Sequence, residues 1–185
     1  MNTPKALLAT NSKDIVERAQ AARIRGGNRV ILAPVDFSRH SEAALIFACK
    51  LADSLSAAVM VLHVVHDPGD MPGYYSKLIK KKRLGRIEDT AAEAFDDFMA
   101  DVIATHPELA SLRDAERLMV IGLPVNRILE VTEKLDPTMV VIGSQGRTRM
   151  KQMIIGSKAA QIVQLCPVPV TVVKYKKPQA ENEAS

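Results

Sequence analysis

The chain has 185 residues, 47% of them hydrophobic, a formal net charge of +4 and two cysteines. That is apolar material for one sizeable core, and the length fits one domain with extensions. No apolar run approaches the roughly 20 residues of a membrane-spanning helix, and the unclustered Cys49 and Cys166 form no metal-type spacing and point to a reducing compartment.

The expectation is a soluble, cytoplasmic protein, without the continuous apolar stretch of a secretory signal. Basic residues are spread along the chain. Lys80-Lys81-Lys82-Arg83 is the densest run, and no aromatic residues interleave with it. It reads as a solvated loop or helix start, and neither nucleic acid nor a membrane is expected as a partner.

Residues 1–27 read as an N-terminal arm or helix. Within them Asp14 to Arg25 is helical in pattern, with Ile15, Val16, Ala19 and Ala22 on one side, and Gly26-Gly27 ends it. Residues 28–175 read as one α/β domain. Arg29 to Val35 is a first strand. Ser38 can cap the helix that follows, whose apolar face holds Ala44, Leu45, Ala48, Leu51, Ala52 and Leu55. Ala58 to Val65 is a second strand. Asp67 to Tyr75 is a Pro/Gly loop, read as a connector. A second helix runs from about Leu84 to Thr105, with Ile87, Ala91, Ala94, Phe95, Phe98 and Val102 along one side.

Glu116 to Ile121 is a third strand. Gly122-Leu123-Pro124 turns into a helix over Val125 to Leu135, where proline suits the first turn. Thr138 to Ile142 is a fourth strand, Ser157 to Leu165 lies in a fourth helix, and Pro167 to Val173 is a fifth strand. Residues 176–185 are a polar tail. Strands apolar on both faces, alternating with helices, predict a mostly parallel sheet covered on both sides. In such sheets ligands bind beyond the C-terminal strand ends, where the strand order reverses.

One loop stands at such an end. Gly143-Ser144-Gln145-Gly146, nine further residues and then Gly156-Ser157 link the fourth strand to the fourth helix. Glycines allow positive φ and close approach of a ligand to the backbone. The first amides of a helix have no internal partner and suit a phosphate, and Ser157 adds a hydroxyl donor. The same composition suits a tight turn whose glycines serve only the backbone, with Ser157 as N-cap. The loop by itself leaves both readings open. Neither G-x-x-x-x-G-K-[ST] nor G-x-G-x-x-G at a strand end is present.

Taken together, the motifs are more specific. Ala33-Pro-Val-Asp-Phe-Ser38, Leu62-His-Val64, Gly122-Leu-Pro124, Val141-Ile-Gly-Ser-Gln-Gly146, Gly156-Ser157 and Cys166-Pro-Val-Pro-Val170 occur in order. Over roughly residues 28–174 the chain resembles a universal stress protein. The resemblance implies a five-stranded parallel doubly wound sheet of order 3-2-1-4-5 with helices on both faces. It also implies the branch of that family marked by G-x2-G-x9-G-[ST], which binds adenine nucleotide. On that resemblance Asp36 meets the ribose or adenine edge, and Val35 and Val64 line the adenine slot. Gly143, Gly146, Gly156 and Ser157 hold the phosphates, with Ser144 and Arg147 as neighbours. The resemblance further implies a homodimer through strand 168–174. The arm and the Tyr74-Tyr75 loop match no motif of the family.

The function expected is an adenine-nucleotide-binding stress-response or regulatory protein. It would take ATP, AMP or ADP, with Mg2+ compatible with the nucleotide, and act on an unidentified downstream protein. No residue stands out as a positioned general base, so at most slow ATP hydrolysis is expected, and no catalytic residue is assigned. The alternatives are an ATP-hydrolysing enzyme on the same fold and an interaction module with an empty pocket. Three other groupings are set aside. His63-x-x-His66 has an odd spacing that sends the two rings to opposite faces of a strand. Ser38, His40 and Ser41 read as a cap and exposed residues at a helix start. Asp96, Asp97 and Asp101 read as a solvated face.

Overall fold

The computed structural model describes residues 6–9, 11–65, 81–146 and 155–175. Its strands are β1 (Leu7–Leu8), β2 (Val30–Val35), β3 (Ala58–Val65), β4 (Glu116–Ile121), β5 (Met139–Gly143) and β6 (Val170–Val173). They form one sheet in the order β1-β4-β3-β2-β5-β6, with every neighbouring pair parallel. The helices are α1 (Ser12–Arg25), α2 (Arg39–Leu55), α3 (Lys81–Thr105), α4 (Ala110–Arg113), α5 (Pro124–Leu135) and α6 (Ser157–Leu165). The doubly wound α/β class is as the strand and helix alternation predicts, and β4-β3-β2-β5-β6 is the expected 3-2-1-4-5 order. The correction is a sixth strand: the N-terminal arm supplies β1, which extends the sheet beside β4.

Side chains alternate across a strand, so each strand feeds two cores. Ile31, Ala33, Val35, Val61 and Met119 pack with Leu45, Phe95, Met99 and Leu112 on the face covered by α2, α3 and α4. Leu32, Met60, Leu62, Leu118 and Val120 pack with Ile15, Ala22, Val131, Leu135 and Ile162 on the face covered by α1, α5 and α6. All six residues of β2 are buried, which is why its sequence is apolar without alternation.

The arm is part of this core. Asn11 caps α1 in a reciprocal capping box with Asp14. Ile15, Ala19 and Ala22 are buried as the helical pattern requires, while Val16 lies at the solvent edge. The Ala9 N–H donates to Met119 O at 2.8 Å. Glu116, buried at the start of β4, receives Arg18 at 2.5 Å and Arg25 from α1. Asp96 departs from the solvated-face reading. It accepts from the buried Arg117 at 2.8 Å and from the Ala6 N–H at 3.3 Å, fastening the arm to α3 and β4.

Among the described residues no helix is long and apolar enough to cross a membrane. The Asp67–Tyr75 loop, His66 and the polar tail lie outside the described residues.

Candidate functional site

The chain crosses from one side of β2 to the other between β4 and β5, so the C-terminal ends of β2 and β5 diverge into different connections. A cavity of about 580 Å³ opens there. Pro34, Val35 and Asp36 from the end of β2, Leu62 to Val64 from β3, and Ile142 and Gly143 from β5 form its floor. Pro124 and Ile128 of α5 form one wall. Gly156, Ser157, Lys158, Ala159 and Ile162 at the start of α6 form the other. The volume is in the range of small-molecule and cofactor sites.

The segment after β2 is fixed by a dense local network. The Ser38 N–H donates to Asp36 Oδ1 at 3.1 Å, and the Asp36 N–H donates to Ser41 Oγ at 3.2 Å. Ser38 Oγ caps α2 by accepting from the Ser41 N–H at 3.2 Å, as its position in the sequence predicts. Between them Phe37 sits at φ 62°, a left-handed conformation costly for a residue with a β-carbon. Its ring stacks on His63 with centroids 4.1 Å apart and lies against Phe95 and Phe98. The aromatic contact holds the turn. The turn in turn brings the Asp36 carboxylate to the glycine loop. His63 Nδ1 lies 2.9 Å from Val35 O, which fixes Nδ1 as the protonated nitrogen because a carbonyl only accepts. Among the described residues no group of three metal-ligating side chains comes together.

The glycines of the loop have three separate reasons. A β-carbon at Gly143 would lie 2.7 Å from the His40 carbonyl carbon and oxygen, in the backbone of α2. There glycine permits the sheet and α2 to touch. A β-carbon at Gly146 would lie 2.9 Å from Asp36 Oδ2. There glycine leaves space for the carboxylate. Gly156 is the N-cap of α6 at φ −66°, and its N–H donates to Ser144 O at 2.7 Å. None of the three has the positive φ that glycine content suggests; among the described residues Gly27 and Gly122 do.

Val35, Asp36, Val64, Gly143, Gly146, Gly156 and Ser157 therefore converge on one cavity from four separate segments. Ser157 is not the N-cap, as the turn reading has it, but the first helical residue, exposed at the mouth. Ser144 does not join the lining. It is 2% exposed and its Oγ lies 3.3 Å from His40 Nδ1, because the residue after Gly143 turns towards α2. Arg147 lies outside the described residues.

Sequence reasoning missed Lys158, Gln145, Pro124 and Ile128. Lys158 had a legible signal. It is a cation in the first turn of a helix with no acidic residue there to offset it, against the helix dipole by about 0.3–1 kcal/mol. The two α5 residues had none, since only the packing of α5 on the sheet brings them near the loop.

The arrangement defines a class: a parallel doubly wound α/β domain with a cavity at its switch point, a carboxylate on one side and a helix N-terminus on the other. The sequence model of the universal stress protein family matches residues 27–174, and the chain belongs to that family. The stress response protein NhaX of Bacillus subtilis is 27% identical over 164 residues, covering 80% of this chain and 98% of that protein. The universal stress protein UspA from Lactobacillus plantarum superposes with a TM-score of 0.66 at 23% identity, covering 78% of this chain and 97% of its own. A universal stress protein solved in complex with cAMP superposes at 0.54 with 15% identity, covering 79% of this chain and 96% of its own.

Proposed function

We propose that the cavity binds an adenine nucleotide and that the protein acts as a nucleotide-binding regulatory module, with ATP as the leading ligand and AMP or ADP as relatives of it. One observation carries the reading: Asp36 and the amino end of α6 face one cavity across the Gly143–Gly146 turn. These are the two opposite functions a nucleotide needs. The carboxylate accepts from ribose hydroxyls. The unpaired amides of α6, with Ser157 and Lys158, offer donors and positive charge to phosphate. Val35, Val64, Pro124 and Ile128 supply apolar surface for a base.

Gly146, whose missing β-carbon gives the Asp36 carboxylate its place, fits the same ligand. The family member that holds cAMP is a further support for a nucleotide. Mg2+ would reach such a site on the phosphates, with few protein ligands. Arg147 remains a proposed neighbour of the phosphates; Ser144 does not, since its N–H donates to Val173 O at 2.8 Å and its carbonyl accepts from the Gly156 N–H. A homodimer through strand 168–174 and a downstream protein partner belong to the same proposal.

Isothermal titration of nucleotide-stripped protein with ATP and Mg2+ tests it, together with chromatography of any nucleotide released on denaturation. Saturable heat at or below millimolar ATP is the expected result. Folded protein that gives no heat and releases no nucleotide would overturn the reading in favour of an interaction module with an empty pocket.

A further inference from the structure

The family match begins at residue 27, yet α1 is bound to the element that forms one wall of the cavity. Arg23 of α1 donates from Nη2 to Leu135 O at 2.8 Å and to Asp136 O at 3.1 Å, at the C-terminal end of α5. Lys134 Nζ donates to Ser12 Oγ at 2.8 Å, so the first residue of α1 is tied to the same end of α5. The last carbonyls of a helix have no internal partner and carry partial negative charge. A guanidinium there satisfies both needs.

The end it grips is strained. Asp136, the C-cap of α5, sits at φ 44° and ψ 61°, a left-handed conformation that glycine adopts more readily. Pro137 follows it and disfavours a return to the helical region. The other end of α5 carries Pro124 and Ile128 into the cavity. The helix has 12 residues, so the two ends are about 18 Å apart on one stiff rod.

Resting on the nucleotide reading above, we infer that Arg23 is a positioning residue for the cavity, and that the N-terminal helix α1 is energetically coupled to nucleotide binding through α5. Occupancy of the cavity fixes the Pro124–Ile128 wall. A fixed α5 holds its C-terminal carbonyls in place for Arg23, and so stabilises the docking of α1. Coupling of this kind is reciprocal. Whatever loosens the contact of α1 with α5 weakens nucleotide binding, and nucleotide tightens α1 by the same factor. The segment outside the family match thereby becomes a part of the molecule that senses the pocket.

The test uses the full chain and ATP with Mg2+ as the probe. Arg23→Ala should raise the Kd by about 2- to 30-fold, the range for substitutions along a coupling element that do not touch the ligand. Arg23→Lys, which keeps a donor for one carbonyl, should recover part of the loss. Ile24→Ser, on the 85% exposed side of the same helix, should bind as wild type.

Amide exchange on the wild type gives a readout that needs no variant: for amides that exchange by local opening, and not by the global unfolding that any ligand suppresses, saturating ATP should slow exchange across Ile15 to Ala22. A merely structural role for Arg23 lowers the melting temperature but leaves the α1 exchange of wild type indifferent to ATP, and that result overturns the coupling. Unchanged ATP affinity in folded Arg23→Ala overturns it as well. A wild type that binds no nucleotide sinks both this inference and the function proposed above. A wild type that binds while α1 stays indifferent sinks this inference alone.

Discussion

Two alanine substitutions, three residues apart in the same loop, should fail in opposite ways. At Gly143 the new β-carbon meets backbone: His40 C and O at 2.7 Å and Ser41 N at 2.9 Å. Neither the first turn of α2 nor the end of β5 can yield without moving the elements that carry them. Overpacking of this kind costs about 1–3 kcal/mol. At about 2–4 °C per kcal/mol for a chain of this size, Gly143→Ala should melt roughly 2–12 °C lower.

At Gly146 the β-carbon meets one side-chain oxygen, Asp36 Oδ2, at 2.9 Å. That oxygen belongs to a side chain and not to backbone, and the Ser38 N–H holds the other carboxylate oxygen, so the carboxylate shifts at a cost of about 1 kcal/mol or less, below that at Gly143. The displaced carboxylate loses its aim. If it forms one charge-assisted hydrogen bond to the ribose, about 1.5–3 kcal/mol of binding goes with it, or about 10- to 150-fold in Kd. Scanning calorimetry without nucleotide and titration with ATP and Mg2+ separate the two effects. Wild-type affinity in Gly146→Ala, or a wild-type melting temperature in Gly143→Ala, would refute the reasoning.

Burial pushes the Cys49 thiol up to about 12. Folded protein at pH 8 should therefore show slow labelling of Cys49 by a thiol reagent and faster labelling of the half-buried Cys166, and equal rates would contradict it. The raised value also has a sign: from about pH 9, where an unfolded thiol ionises, to about 12 the unfolded chain binds fewer protons, so stability should fall with rising pH across that window. Glu116→Gln removes the buried charge facing Arg18 and Arg25; a lower melting temperature and faster proteolysis between residues 10 and 28 are expected, and an unaltered digestion pattern would show that the arm docks without it. Along β6 the carbonyl of Pro169, just before the strand, accepts from Val140 of β5, and that of Val173 accepts from Ser144, just past β5, so by strand alternation the Val170 and Val172 backbone groups face outwards. Val172→Pro should therefore weaken a dimer formed through this edge. Light scattering reads the result: a monomeric wild type would refute the dimer, and an unchanged dimer in the variant would move the interface elsewhere.

The sequence by itself determined the class of fold and the strand ends at which the cavity opens. β2, β3 and β5 are buried on both faces, and continuous apolar runs are the only way to fill two cores from one strand. Asp36, Gly143 and Ser157 were legible because they stand at the junctions between those runs and the helices. Leu7–Leu8 was not, since two residues carry no periodicity and become a strand only when β4 offers its edge. Nor was the four-residue helix α4, too short for a 3.6-residue pattern.

Tertiary structure alone decided what the local pattern could not encode. Asp96 looked like one of three solvated acids until the packing of α3 set it beside Arg117. Ser144 and Gly143 are adjacent, yet the contact with α2 sends one towards His40 and leaves the other on the cavity floor. Pro124 and Ile128 reach the site from a helix that follows another strand. Local sequence fixes the period and ends of each element through backbone sterics and hydrogen bonding. Which side chains meet across elements depends on long-range packing, where contacts join residues far apart along the chain.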